Sequence, residues 1–287
     1  MKNTALLLSL TALIAFPAWA ADLSEDVKSA SKKLAEKSNY SWTTKSESPQ
    51  REGAQANAQG GAQGGAQGGA QGGGQARGRG FGGFGAGSTS GKTDKDGFTI
   101  ITYTMGENTS EAVLKGEKVA VKSGDEWKTG DELTADNADA ANNRNPGRSL
   151  AQRAQRTKLP AVDAQELVSK VSALKKDGDA YSGELTADAV KQMNTFGGGG
   201  RRPGGNAAAT PPAGPDTSGL KGTAKFWVKD GVLSKYETHI TGKMSFAGRQ
   251  GGQAREIDVN RTTTVEIKDV GATKLEIPAE ARKKLKS

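Results

Sequence analysis

The chain has 287 residues, 40 of them glycine, with no cysteine and one histidine. Without cysteine there can be no disulfide, no thiol nucleophile and no lipid-modified N-terminal cysteine, so stability must come from an ordinary apolar core. Glycine on this scale leaves much of the length unable to contribute burial, and the formal net charge of +8 favours anionic partners without specifying one.

Met1–Ala20 has the form of an export signal. Lys2 opens it, Ala5–Pro17 is its apolar core, and Ala18-Trp19-Ala20 is a small-x-small cleavage pattern. The mature chain would begin at Ala21 with a charge of 8 − 1 = +7, exported to the periplasm or beyond. No later apolar run reaches the roughly 20 residues of a membrane helix. Ser24 is placed to cap a helix with Glu25 and Asp26 in its first turn and Leu23, Val27, Ala30 and Leu34 on one face. Tyr40–Ser48 then alternates as a strand, with Trp42 read as a core residue.

Residues 53–91 interrupt the strands with Gly-Ala-Gln-Gly repeats at 61–64, 65–68 and 69–72, followed by Arg77-Gly-Arg79-Gly and Phe81-Gly-Gly-Phe84. Ordering so much glycine would lose more entropy than its side chains could offset, so a flexible insertion is expected. Two arginines are too few to specify a nucleic-acid tract, and export argues against that partner. Alternation resumes at Phe98–Met105, with Ile101, Tyr103 and Met105 on one face. It continues through Thr109–Lys115, Lys118–Lys122 and Glu126–Lys128, an antiparallel meander. Asp94-Lys95-Asp96-Gly97 starts like a calcium loop, but the remaining ligands do not follow at the required spacing, so a turn and no metal site are expected.

Gly130–Lys158 is polar and broken at Pro146-Gly147. Its second half carries Arg144, Arg148, Arg153 and Arg156 with no acidic residue among them, the best candidate anion-facing segment. Asp163 and Glu166 suggest a capping box for a helix with Leu167, Val168, Val171 and Leu174 as its stripe and Gly178 as its end. Ala180–Leu185 is a short strand, and Thr186 caps a brief helix stapled by Leu185 and Val190. A second flexible insertion is expected at 197–219 and a third at 247–254.

The third insertion is the tip of a long hairpin. On one side Val232, Ser234, Tyr236, Thr238, Ile240, Gly242, Met244 and Phe246 share a face; on the other, Ile257, Val259, Thr263, Val265 and Ile267 do. Setting Met244 opposite Ile257 also sets Tyr236 against Val265 and Thr238 against Thr263, and a slip by one residue would bury the charges of the outer face. Arg261 breaks the pattern by standing on the apolar face. It requires a carboxylate, helix-end carbonyls or an anionic ligand. Lys274–Ile277 is expected as a last strand before a helical turn at Pro278.

No residue stands out as catalytic. His239 lies on the polar face between Glu237 and Thr241, far from a triad or metal spacing, and no phosphate-binding or dinucleotide motif is present. Neither an enzyme nor a cofactor is expected.

The order of elements, Phe226-Trp227-Val228-Lys229-Asp230-Gly231 before a long strand, and the ending Val265-Glu-Ile-Lys-Asp-Val-Gly-Ala-Thr-Lys-Leu-Glu-Ile-Pro278 resemble the LolA/LppX-like lipoprotein-carrier superfamily. That resemblance implies an α+β fold in which a strongly curved antiparallel sheet, an incomplete β-barrel, has helices over its concave face. It also implies one domain over 21–287, and an apolar cavity for acyl chains. The expected function is an exported, non-enzymatic binding protein for a hydrophobic or lipid-like ligand. Tyr103, Met105, Tyr236, Ile240, Met244, Val259, Arg261 and Val265 are the candidate lining. The alternative is a cell-envelope protein whose Gly/Arg-rich loops contact anionic polymers.

Overall fold

Period-two alternation along the chain becomes a single antiparallel sheet. The computed structural model describes residues 18–37, 39–48, 87–135, 145–194, 215–246 and 254–286. Most of the expected export signal, Arg144 and the bulk of the three glycine-rich segments lie outside the described residues. In chain order the strands are β1 (Tyr40–Glu47), β2 (Gly87–Thr93), β3 (Phe98–Met105), β4 (Asn108–Lys115), β5 (Lys118–Ser123) and β6 (Glu126–Thr129). Then come β7 (Val171–Asp177), β8 (Ala180–Leu185), β9 (Leu220–Lys229), β10 (Val232–Phe246) and β11 (Arg255–Lys268). The helices are α1 (Ala18–Ala35), α2 (Gly130–Ala135), α3 (Pro146–Arg156), α4 (Pro160–Val168), α5 (Ala187–Asn194) and α6 (Ala279–Lys286).

The strand order is β6-β5-β4-β3-β2-β1-β11-β10-β9-β8-β7. The fold is α+β, and the sheet stays open, with β6 and β7 as its two edges. Two meanders are joined where β1, near the start, pairs with β11, near the end: Trp42 opposes Ile267 and Thr44 opposes Val265. Between the edges the chain crosses one face of the sheet as α2, α3 and α4.

The main core lies under that crossover. α1 contributes Val27, Ala30 and Leu34 at helical spacing, with Ser31 fully buried but satisfied by donating from Oγ to Val27 O at 2.8 Å. Against them pack Phe226, Leu233, Tyr236 and Ile240 from the sheet and Ala164, Leu167 and Val168 from α4. Burying a side chain such as Phe226 or Leu34 stabilises by roughly 1.5–3 kcal/mol. A smaller core, Phe98, Val113, Ala120 and Trp127 with Ala281 and Leu285 of α6, occupies the other face. Five helices therefore share the main face, and α6 alone covers the opposite one.

The long hairpin has the register set by its alternation: Met244 opposes Ile257, Tyr236 opposes Val265 and Thr238 opposes Thr263. One irregularity between Leu233 and Lys235 in the pairing with β9 brings Leu233 into the core at 0% exposure, a position that simple alternation leaves unassigned. Asp94 forms the expected turn, its Oδ1 accepting from the backbone N–H groups of Asp96 and Phe98 at 2.9 Å. Asn145 caps α3 with Pro146 in its first turn, so the proline that interrupts one helix begins the next.

Five local expectations are corrected. The helix expected to run through Val171 and Leu174 stops at Val168, and Val171–Asp177 is the edge strand β7, with Lys175 opposite Ser182 and Asp177 opposite Ala180. The stripe of apolar residues fits either period, and the Asp177-Gly178 turn decides it; Gly178 has φ of 59° and joins β7 to β8. Asp163 and Glu166 are not a capping box, because α4 starts earlier, at Pro160. Nor is Ser24 a cap: α1 extends upstream to Ala18 through residues of good helical propensity.

Lys274–Ile277 is not a strand. Both sides of the preceding strand, β11, are already taken by β1 and β10, so the segment cannot fold back to pair beside it; instead Leu275 and Ile277 pack on the smaller core. Finally, the insertion expected over 53–91 ends earlier, since β2 begins at Gly87. Gly91 is there for packing rather than flexibility: a Cβ at this position would sit 2.1 Å from Cζ2 of Trp42. Gly91→Ala should therefore destabilise the fold by about 1–3 kcal/mol through overpacking, measured as a lower denaturation midpoint with unchanged slope. Equal stability of the variant would show that the indole moves freely.

Candidate functional site

Where α3, α4 and the C-terminal end of α5 stand over the central strands, they leave an open cleft of about 520 Å³. Its floor is the join between the two meanders. Trp42, Thr44 and Ser46 of β1 lie beside Thr263, Val265 and Arg261 of β11, with Tyr236, Thr238 and Ile240 of β10 next to them. Tyr103 of β3, Leu167 of α4 and Met193 of α5 complete the apolar part, and Arg153, Arg156, Thr157, Lys158 and Asp163 supply the helical wall.

Two tyrosines tie the sheet to that wall. Tyr236 donates from its hydroxyl to Oδ2 of Asp163 at 2.7 Å; burial first, and then the neighbouring Asp163 charge, hold its phenol well above the ordinary tyrosine range. The hydroxyl of Tyr103 shares a hydrogen bond with Thr157 Oγ1 at 2.8 Å, and the guanidinium carbon of Arg153 lies 4.2 Å from the centroid of the Tyr103 ring. Burial raises the Tyr103 phenol, an effect opposed by the Thr157 bond and the Arg153 charge. Tyr40, its ring tilted at 51° to that of Trp42 with centroids 5.8 Å apart, is pushed up to about 12 by burial.

Arg261 finds helix-end partners. Its Nη2 donates to Met193 O at 3.2 Å and to Oδ1 of Asn194 at 3.1 Å, closing the C-terminal end of α5, where the helix dipole favours a cation. Asn194 is held in turn by donating to Val190 O at 2.8 Å. No carboxylate pairs with Arg261 among the described residues, and its burial lowers the guanidinium pKa. Lys158 is paired with Glu166.

The structure brings together Tyr103, Tyr236, Ile240, Arg261 and Val265 of the expected lining, along with Arg153 and Arg156 of the basic segment. It does not bring the rest there. Met244 is buried farther along the hairpin, and Val259 is half-buried opposite Gly242. Met105 shares the face of Tyr103 but ends its strand beyond the helical cover. It is 53% exposed, with its sulfur 3.9 Å from Nη1 of Arg153. Arg148 is half-buried in the first turn of α3, away from the cleft. The sequence reasoning passed over the hydroxyls of Thr44, Thr89, Thr238 and Thr263. Their signal was available as single threonines set into alternating faces that are otherwise largely apolar, as in Tyr236-x-Thr238-x-Ile240.

The cleft offers no acid–base pair in contact, since its one carboxylate is occupied by Tyr236. His239 points elsewhere, its Nδ1 2.9 Å from Thr262 Oγ1. A second cleft, of about 550 Å³, lies beside Lys92, Ile100, Glu111 and the segment Lys274–Glu276. Its side chains carry both signs of charge.

No protein-family model and no curated protein sequence matches the chain. Among solved structures, the fold is similar to that of the lipoprotein LppX of Mycobacterium tuberculosis, at 11% identity and a TM-score of 0.38, covering 89% of this chain and 98% of that one. It is also similar to LprF from Mycobacterium bovis, at 10% identity and a TM-score of 0.35, covering 91% and 98%.

The raised phenols give a signed pH dependence. A tyrosine whose folded pKa exceeds its unfolded value of about 10 contributes stability that is complete below that value and is lost as pH rises through the folded pKa. Tyr40, Tyr103 and Tyr236 should thus resist ionisation past pH ~10, and alkaline unfolding should coincide with a cooperative rise in phenolate absorbance. Gradual, independent titration of all tyrosines in the folded chain would contradict this arrangement.

Proposed function

We propose that this chain is an exported, non-enzymatic binding protein that carries a hydrophobic, lipid-like ligand in the cleft between sheet and helices. The observation that carries the proposal is an open cleft floored by Trp42, Tyr103, Tyr236, Ile240 and Val265. The cleft volume of about 520 Å³ falls among pockets that enclose small ligands, about 300–1,000 Å³.

The form of Met1–Ala20 supports export, and the continuous sheet supports a single binding unit. Among the described residues no helix is long and apolar enough to cross a membrane. A carrier needs a site that opens without unfolding. Here the wall is made of short helices, α3 and α4, which add the Tyr103–Thr157 and Tyr236–Asp163 bonds to their apolar packing on the sheet.

Native mass spectrometry after mild purification should show a co-purified lipid. Thr238→Trp, which fills the cleft from its floor, should remove that mass while leaving the circular-dichroism spectrum unchanged. A ligand-free wild-type chain that also takes up no lipid from mixed vesicles would overturn the proposal, as would undiminished lipid in a folded Thr238→Trp variant.

A further inference from the structure

The charge of the cleft is lopsided. Four cations, Arg153, Arg156, Lys158 and Arg261, line it against one carboxylate, Asp163. Even when Glu166, the partner of Lys158, is counted, the balance is 4 − 2 = +2. Arg153, Arg156 and Lys158 stand exposed at the rim, while Arg261 is partly buried in the floor, where a charge beside an apolar wall loses hydration that an anionic ligand would offset.

Three of the cations lack a carboxylate partner among the described residues. Arg153 is held flat over the Tyr103 ring and beside the Met105 sulfur. Arg156 is exposed and has no ion pair. Arg261 stands in the floor, anchored through Nη2 alone to the end of α5, which leaves Nε and Nη1 without a protein acceptor among the described residues. A cleft-lining guanidinium fixed by one nitrogen keeps donors for the paired oxygens of a phosphate ester. The hydroxyls of Thr44, Thr238 and Thr263 lie on the same floor and offer further donors.

We infer that Arg153, Arg156 and Arg261 bind the phosphate ester of an anionic amphiphile whose apolar portion lies on the aromatic floor. This rests on the reading of the cleft as a lipid site and adds the class of headgroup. The arginines act as a selectivity filter: a neutral amphiphile with the same chains leaves them unpaired, whereas a phosphate ester satisfies them. Free phosphate shares the headgroup chemistry but gains nothing from the floor.

The test loads the full-length mature protein from vesicles containing phosphatidylglycerol or diacylglycerol with identical acyl chains, with inorganic phosphate as a separate arm, and quantifies bound ligand by native mass spectrometry. Wild-type protein should prefer phosphatidylglycerol by about tenfold, the scale of a charge-assisted hydrogen bond, and the preference should shrink as salt is raised. Arg153→Gln combined with Arg156→Gln changes only exposed residues. It should bring the ratio towards one by lowering phosphatidylglycerol uptake, with the circular-dichroism spectrum of the wild type, and Arg261→Gln should do the same if α5 remains folded.

Equal wild-type uptake of both lipids would overturn the headgroup assignment while leaving the lipid cleft standing. A preference that survives the double variant would also overturn it. Uptake of neither lipid would remove the cleft reading itself. Phosphate bound as tightly as phosphatidylglycerol would show a free-anion site and overturn the amphiphile.

Discussion

The pairing of β1 with β11 is the interaction on which the rest of this molecule depends. It joins residues more than two hundred positions apart, as in Ser41 opposite Lys268, and converts two meanders into one sheet. Its side-chain layer is also the floor of the cleft, where Trp42 meets Gly91 on one side and β11 on the other. Loss of this seam would remove the site along with the fold, because neither meander alone presents Tyr103 and Tyr236 to the same space. Such a long-range pairing also places the chain among slow-folding topologies, since the loop-closure entropy must be met before the contact forms.

The helical cover is bound to this floor by polar rather than purely apolar contacts. Tyr236 holds Asp163, Tyr103 holds Thr157, and Arg261 closes the end of α5. Each bond sits at the margin of the cleft, where it satisfies a polar group that burial would otherwise penalise. The result is an amphipathic space: aromatic and aliphatic below, hydroxylated across the strands, and cationic along one wall. Its carboxylate, Asp163, is a structural acceptor for Tyr236.

Glycine has opposite meanings in different parts of the chain. In the repeats at 61–72 it is a composition that cannot support a core. At Gly91 and Gly222 it is the condition for close packing, since added Cβ atoms would collide with Trp42 in the first case and with Leu185 and Val190 in the second. Composition alone extended the flexible segment through Gly91. The indole that makes this glycine necessary comes from a different strand.

What the sequence by itself determined is the alternation, and with it the hairpin register at Met244–Ile257 and Tyr236–Val265, because a shift of one residue exchanges buried and charged faces. It also determined that Arg261 needed acceptors. Only the tertiary structure decided that Val171–Asp177 pairs as an edge strand, since an apolar stripe of that spacing serves helix and strand alike until a partner is present. The same holds for Lys274–Ile277, excluded from pairing beside β11, whose neighbouring positions were already filled. The convergence of Arg153 and Arg156 with Arg261 was likewise invisible along the chain: residues on a helix and on a strand about a hundred positions apart share a cleft only because β1 and β11 close the sheet beneath the crossover.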